Sequence, residues 1–189
     1  MREVIGYNKN HAERQEDDFY ATPKEEVINI LSYEYIEGTV LEPCCGLGHM
    51  VQGIPKNRKV IATDLIDRGF GKGGLDFLSP EYPYTKDIGT VIMNPPFKLI
   101  TEFVLRGLEI AENKLIVLAR IQFLETIGRY ESIFKDNPPN RVYQYIDRIS
   151  CAKNGDFTKL ENSMMYAWFV WDKKTNDKNT YLKWIGRDK

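Results

Sequence analysis

The residues best suited to chemistry are Asn94, Pro95, Pro96 and Phe97, which follow a run of apolar residues. The two prolines remove two backbone donors and keep the chain around Asn94 in an extended or turn conformation. The carbonyls of Asn94 and Pro95 and the Asn94 side-chain amide then form a rigid set of acceptors, which suits both protons of a planar –NH₂ group. Phe97 offers an aromatic face on which a flat ring can stack. A strand-ending turn with a core phenylalanine is the alternative interpretation.

A second group of residues predicts a nucleoside-like ligand. Gly46 and Gly48 follow a short apolar run, where glycines let the backbone approach a ligand closely. Asp64 ends the next apolar run, where a carboxylate can accept hydrogen bonds from ribose hydroxyls. Each feature alone is also explained by a tight turn or a helix cap, and the third glycine of the dinucleotide fingerprint is absent. Together they favour an adenosyl ligand.

Alternating strand and helix patterns would position these residues. Thr22 as N-cap and Pro23 in the first turn predict the start of a helix. Strands are predicted at 39–41, 59–64, 90–93, 115–119, 142–149 and 164–171, and further helices near 49–51 and over 98–112 and 124–136. This alternation implies a mostly parallel sheet, whose ligands bind beyond the carboxyl ends of the strands. We therefore expect the chemically distinctive residues to converge at one edge of the sheet.

Length and composition exclude several classes of protein. The 189 residues suit one domain over 1–189, in which the polar segment 1–17 is loosely ordered. No apolar stretch approaches the roughly 18 residues of a membrane span, and the N-terminus lacks the apolar core of a signal peptide. The three cysteines form no CxxC pair, so a structural zinc site is not expected. These features predict a cytoplasmic protein that binds neither metal nor membrane.

Charge is distributed unevenly between the two halves of the chain. Residues 1–97 carry 10 Lys and Arg against 15 Asp and Glu, a net charge of −5. Residues 98–189 carry 16 against 12, a net charge of +4. The second half is therefore suited to face a polyanion, although ordinary surface variation explains the same numbers.

These motifs together resemble those of S-adenosylmethionine-dependent DNA adenine-N6 methyltransferases, in particular the small type of phages and mobile elements. The residues that match motifs for the cofactor, S-adenosyl-L-methionine, are Phe19, Tyr20, Ala21, Thr22 and Pro23 (methionine part), Glu42, Pro43, Cys44, Gly46 and Gly48 (glycine loop), Asp64 with Leu65 (ribose), and Asp76 with Phe77 (adenine). Residues 94–97 match the catalytic motif, and Asn94 also borders the cofactor.

The resemblance implies a Rossmann-like class I methyltransferase fold, an α/β fold with a mostly parallel seven-stranded sheet and one antiparallel strand. The segments 142–149 and 164–171 would form the last hairpin, and the loop between them would overhang the site. Phe157 in that loop would either clamp a flipped base or anchor the loop.

The implied reaction transfers a methyl group to the N6 amino group of adenine in DNA, with the base flipped into the site. Asn94 and the Pro95 carbonyl would accept hydrogen bonds from the amino group, and Phe97 would stack on the base. No metal or general base is required, so His49 is interpreted as structural or solvated and the cysteines as packing residues. Candidate phosphate contacts are Lys98, Arg120, Arg129, Arg141, Arg148 and Lys153.

Three alternatives remain open at the level of the sequence. Similar motifs occur in RNA base methyltransferases. They also occur in protein-glutamine methyltransferases, where the tetrapeptide usually ends in tyrosine. A non-catalytic nucleic-acid-binding relative is the third, although intact Gly46, Asp64 and Asn94 argue against it. No separate target-recognition domain is expected, because residues 98–189 must also complete the sheet, and the sequence does not define the oligomeric state.

Overall fold

The structure, a computed structural model, describes residues 20–153, 155–158 and 164–186. Its described part is built on a seven-stranded sheet and a separate two-stranded pair. The strands are β1 (Tyr20–Ala21), β2 (Thr39–Glu42), β3 (Val60–Ala62), β4 (Ile88–Met93), β5 (Lys114–Arg120), β6 (Arg141–Tyr145), β7 (Ala152–Lys153), β8 (Tyr166–Asp172) and β9 (Tyr181–Ile185). The helices are α1 (Lys24–Tyr33), α2 (Ile100–Ile110) and the single turn α3 (Ile127–Arg129).

The large sheet is mostly parallel, as predicted. Its strand order is β3-β2-β4-β5-β8-β6-β9, and only β8 runs antiparallel to its neighbours. The outermost strand β9, which pairs in parallel with β6, was not predicted. The seventh strand of the sheet is therefore the edge strand β9, which was not identified from the sequence. Residues 76–77, which follow β3, form no strand.

Apolar side chains alternate between the two faces of the central strands, and each face supports one half of the core. Leu115 and Val117 pack on the side of α2, together with Phe103 of that helix. Ile116 and Leu118 pack on the other side with Ile30 of α1. Because both faces are covered, the strands are apolar throughout, as expected for a buried parallel sheet.

The segment after β5 does not form the continuous helix predicted over 124–136. A 3₁₀ turn (Ile121–Leu124) is followed by α3 and then by a π-helical turn (Tyr130–Phe134). The interruption lies at Thr126, whose φ of 90° is incompatible with a helix and whose hydroxyl accepts a hydrogen bond from the Arg129 N–H. The short helix expected near 49–51 is likewise only a 3₁₀ turn, at Val51–Gly53.

The carboxyl ends of the parallel strands lie at one edge of the sheet, where β1 and β7 also meet. The antiparallel pairing of Tyr20 with Lys153 and Ala21 with Ala152 ties the segment before α1 to the connection between β6 and β8. The structure thereby brings two segments distant in sequence to the edge where the predicted motifs end. Within the described residues, no helix has the length and apolar character that a membrane crossing requires.

Candidate active site

A cavity of about 610 Å³ lies at this edge of the sheet. Its wall combines the segment before α1, the loop after β2, the end of β3, residues 76–77 and the end of β4. Of the predicted site residues, the cavity is lined by Tyr20, Ala21, Thr22, Glu42, Pro43, Cys44, Asp64, Leu65, Asp76, Phe77, Asn94, Pro95, Pro96 and Phe97. The proline-containing motif and the predicted cofactor loop therefore face one shared space.

The Asn94 side chain is held in a fixed orientation by the segment before α1. Its Nδ2 donates to the Tyr20 carbonyl and to the Thr22 hydroxyl, both at 3.0 Å. Its Oδ1 is buried and has no hydrogen-bond partner among the described residues. An unsatisfied buried acceptor costs on the order of 1–3 kcal/mol, so this oxygen is suited to a donor that a ligand brings.

Thr22 differs from its predicted role as a helix cap. Pro23 occupies the cap position of α1, and no side chain caps that helix end. The Thr22 hydroxyl instead accepts the hydrogen bond from Asn94. Thr22 thus helps to orient the Asn94 side chain. Pro23 directly precedes the helix and does not line the cavity.

Cys44 connects the loop after β2 to the predicted catalytic motif. Its thiol donates to the Asn94 carbonyl at 3.4 Å, so that carbonyl, which the sequence analysis regarded as a free acceptor, already has a partner. Burial, with added repulsion from Glu42 and Asp64, raises the pKa of the Cys44 thiol well above its usual value. Burial likewise raises the pKa of Cys45 to about 12. Both thiols are therefore protonated near neutral pH and are poor nucleophiles.

Asp64 has most of its hydrogen-bonding capacity occupied by the protein. Its Oδ2 accepts from the Gly46 N–H at 2.7 Å, and its Oδ1 accepts from the Ile66 N–H at 2.9 Å and from Arg68 at 3.0 Å. A carboxylate offers about four acceptor positions, so roughly one remains for a ligand hydroxyl. Asp64 therefore both closes a turn and borders the cavity.

Glu42 is another carboxyl group of the wall and is only 1% exposed. Its Oε2 has no hydrogen-bond partner within the described part of the chain. Burial, reinforced by repulsion from Asp64, raises the pKa of Glu42 to about 8. The neighbouring carboxyl groups of Asp64 and Glu42 therefore differ in their partners. Asp64 is paired with Arg68, whereas Glu42 has no cation partner among the described residues.

The glycines of the loop after β2 do not have the predicted role of letting the backbone approach a ligand closely. Gly46 and Gly48 do not line the cavity. Gly48 has a φ of 81°, and a Cβ built there would lie 2.5 Å from the Phe70 ring. Its missing side chain therefore makes room for Phe70, while the Gly46 N–H orients Asp64.

Phe97 lies within an aromatic cluster that also contains Tyr20 and Tyr166, with ring centroids at 5.7 Å and 6.1 Å from its own. The Arg120 guanidinium lies over the Phe97 ring at 4.1 Å from the centroid. Arg120 ends β5 and is paired in register with Tyr166 on β8. Arg120 was predicted as a candidate for phosphate contact, whereas in the structure its guanidinium packs against the Phe97 ring.

His49, interpreted from the sequence as structural or solvated, lines the cavity. Its Nδ1 is buried without a hydrogen-bond partner in the described regions. The ring of Phe157 packs edge-on against His49, with centroids 5.1 Å apart. This contact is the one expected if Phe157 anchors the overhanging loop.

Several wall residues were not identified from the sequence. The polar side of α2 extends the cavity beyond Phe77, and no motif marks it, because its residues look like the solvated face of an amphipathic helix. The wall residues missed are Cys45, His49, Met50, Ile66, Arg68, Leu75, Leu78, Leu99, Glu102, Phe103, Leu105, Arg106 and Glu109. Phe19, a predicted cofactor residue, lies outside the described residues.

Two further basic candidates are engaged in the protein itself. Arg141 binds Glu34 and Asp172 at the opposite edge of the sheet, so it is wrong as a phosphate contact of this site. Arg129 donates to the carbonyls of Gln122 and Glu125. Lys98 and Arg148 are exposed. The side chain of Lys153 is outside the described part of the chain. Among the described residues, no group of three or more His, Cys, Asp or Glu is suited to hold a metal ion.

Comparison with known proteins identifies the fold. No family model matches the sequence, and no curated protein matches it significantly. The methyltransferase subunit of a type I restriction-modification system from Streptococcus thermophilus is similar with a TM-score of 0.66 and 10% identity, over 89% of this chain and 47% of that subunit. A proposed RNA methyltransferase from Pyrococcus horikoshii gives 0.61 and 18%, over 84% and 88%.

A third similar structure is the E. cuniculi complex responsible for methylating the eRF1 translation termination factor, with a TM-score of 0.56 and 13% identity, over 82% of this chain and 99% of that chain. These likenesses show a Rossmann-like methyltransferase fold. The chain spans about half the length of the type I subunits that it matches. Because the neighbours differ in what they modify, the substrate must be argued from the site.

Proposed function

We propose that this protein is an S-adenosylmethionine-dependent methyltransferase that modifies the N6 amino group of adenine in DNA. One observation carries the proposal: Asn94 lines the same cavity as Glu42 and Asp64, and its buried Oδ1 has no hydrogen-bond partner among the described residues. An acceptor for an amino group and a pocket for an adenosyl cofactor thus share one space. The fold similarity to methyltransferases supports the same conclusion.

The residues of the cavity fit the cofactor. The volume of about 610 Å³ lies within the roughly 300–1,000 Å³ of small-molecule sites. Asp64 retains acceptor capacity for a ribose hydroxyl, the walls at Leu65 and Phe77 suit an apolar purine face, and Glu42 suits a cationic ligand. When bound, S-adenosylmethionine supplies an electrophilic methyl group on its sulfonium.

Asn94 and Pro95 would activate the target nitrogen. The Asn94 Oδ1 accepts a hydrogen bond from the amino group, and the rigid carbonyl of Pro95 offers a second acceptor. Both oxygens stabilise the positive charge that develops on the nitrogen during transfer. Because the Asn94 amide is already fixed by Tyr20 and Thr22, little reorganisation is needed in the transition state.

Several observations favour DNA as the carrier of the adenine. The amino group of a stacked base is out of reach, so the base must leave the duplex, and Phe97 provides a surface for it. The exposed cations Lys98 and Arg148 belong to the half of the chain with net charge +4. Three of the structural neighbours are methyltransferase or modification subunits of type I restriction systems. The described residues beyond Phe97 complete the sheet, and within them the loops are the segments available for contacts with a target.

The test is transfer of labelled methyl from S-adenosylmethionine to unmethylated genomic DNA, total RNA and a protein extract, each followed by hydrolysis and identification of the product. We expect N6-methyladenine in DNA. Label found only in RNA would replace the DNA proposal with an RNA base methyltransferase, and label in glutamine would indicate a protein substrate. Cofactor binding without transfer to any of them would indicate a non-catalytic relative.

A further inference from the structure

Glu42 is the most deeply buried carboxyl group of the cavity wall. It is the last residue of β2, its side chain is almost fully buried, and it lines the cavity. Its Oε2 has no hydrogen-bond partner among the described residues. A buried carboxylate without a cation or donor is costly, whereas the neutral acid avoids most of that cost.

The surroundings of Glu42 contain no cation free to balance it within the described part of the chain. Asp64, at the end of the neighbouring strand, adds negative charge, and its salt bridge occupies Arg68. Cys44 and Cys45 of the adjoining loop are protonated. The remaining ionisable wall residues are His49, Tyr20, Asp76, Glu102, Arg106 and Glu109. Burial and Asp64 together raise the pKa of Glu42 to about 8, which agrees with this geometry.

We infer that Glu42 is a neutral acid in the free protein and that binding of the cationic cofactor expels its proton. The O–H bond of the carboxyl group breaks, the proton passes to the solvent buffer, and the carboxylate remains opposite a positive group of the ligand. This inference rests on the proposed function, because it needs a cofactor that carries positive charge. Its consequence is that cofactor affinity depends on pH through a residue of the cavity wall.

Isothermal calorimetry of the full chain with S-adenosylmethionine at pH 6.5 measures the proton directly. Binding is measured in two buffers with different enthalpies of ionisation, and the difference in heat gives the number of protons released. At this pH an amino group with a pKa of about 7.7–8 is already charged, so the ligand contributes little. We expect close to one proton per cofactor, and an association constant that rises up to tenfold per pH unit between pH 5.5 and 7.

Glu42→Gln removes the ionisable group with little change in shape. His49→Gln is the matched change at another wall residue, whose buried Nδ1 also has no hydrogen-bond partner among the described residues. Glu42→Gln should bind without proton release and lose the pH dependence, whereas His49→Gln should keep the release. Clear binding by the wild type without proton release would overturn the inference, as would release that persists in Glu42→Gln or disappears in His49→Gln. If Glu42→Gln fails to fold, the wild-type pH dependence decides. Absence of any binding by the wild type would instead reject the proposed function.

Discussion

At the scale of single residues, the site depends on how polar groups are divided between the protein and a ligand. Both donors of the Asn94 amide are hydrogen-bonded, whereas its oxygen has no partner in the part of the chain that the structure describes. Asp64 accepts three hydrogen bonds, whereas the Glu42 Oε2 accepts none from the same residues. A buried group without a partner is uncommon in proteins, since most such groups are hydrogen-bonded. Under the proposed function, the buried oxygens of Asn94 and Glu42 that lack a partner among the described residues mark where a ligand would supply a donor and a cation.

Arg120 is expected to position Phe97. Replacing it with alanine removes the guanidinium from the ring, and a cation–π contact contributes about 0.5–2 kcal/mol, equivalent to roughly 2–30-fold in rate. Arg120→Ala should lower the rate of transfer by that factor while the cofactor dissociation constant stays unchanged. Single-turnover transfer and calorimetry measure the two quantities.

The control for Arg120 is Arg129→Ala, since Arg129 lies over Phe123 at 5.5 Å and neither residue lines the cavity. Arg120→Lys should restore part of the rate if the cation over the ring is what matters. An Arg120→Ala enzyme with unchanged transfer, or one that loses cofactor affinity to the same extent as transfer, would contradict the positioning role.

At the scale of secondary-structure elements, the two edges of the sheet have separate tasks. The carboxyl edge of the parallel strands contains the cavity, and the opposite edge contains a buried ion cluster around Glu34. Lys114 and Arg141 both bind Glu34, and Tyr143 donates to it at 2.7 Å. Burial alone would raise the pKa of Glu34, but hydrogen bonds from Arg141, Lys114 and Tyr143 outweigh it and lower the pKa below its usual value.

Glu34→Gln should destabilise the fold, because it leaves buried cations with one carboxylate fewer. Removing one partner of a buried ion pair costs about 3–5 kcal/mol. Since the folded pKa is lowered, the contribution of Glu34 is present above the unfolded pKa of about 4.3 and is lost as pH falls through the folded pKa. Urea unfolding at pH 7 should therefore show a large difference from the wild type, which shrinks as the solution becomes more acidic than pH 4.

Glu37→Gln is the control for this cluster, because Glu37 forms a solvent-exposed pair with Lys174. Exposed pairs contribute about 0–1 kcal/mol, so the unfolding curve should hardly move. Equal losses for the two variants, or a loss for Glu34→Gln that does not depend on pH, would show that the cluster is not the source of the stability.

The elements differ in how far the sequence predicts them, for physical reasons. Buried strands such as β4 and β5 are continuous apolar runs and were found, whereas the edge strand β9 has four exposed residues among its five and shows no core-facing pattern. The helix predicted over 124–136 is interrupted at Thr126, whose positive φ cannot be predicted from helical periodicity. Convergence of the motifs followed from parallel topology, but the bond from Asn94 to Thr22 depends on the pairing of β1 with β7, which is not local in sequence.

At the scale of the whole molecule, the fold brings together two groups of cavity residues that are distant in sequence. The cavity takes one wall from the loops after β2 and β3 and another from the end of β4, with the segment before α1 bracing Asn94. Cys44 links the walls through its hydrogen bond to the Asn94 carbonyl. If the proposed function is correct, this arrangement allows cofactor binding and activation of the target nitrogen to be separated by mutation.

The most direct measurement is therefore a paired determination on Asn94→Ala: the cofactor dissociation constant by calorimetry and the rate of methyl transfer to DNA in a single turnover. The account predicts a rate lower by at least about 100-fold, typical for loss of a transition-state hydrogen bond, with the dissociation constant changed by less than about threefold. A variant that transfers methyl at the wild-type rate, or that loses cofactor binding in proportion to transfer, would contradict the claim that Asn94 acts on the target nitrogen.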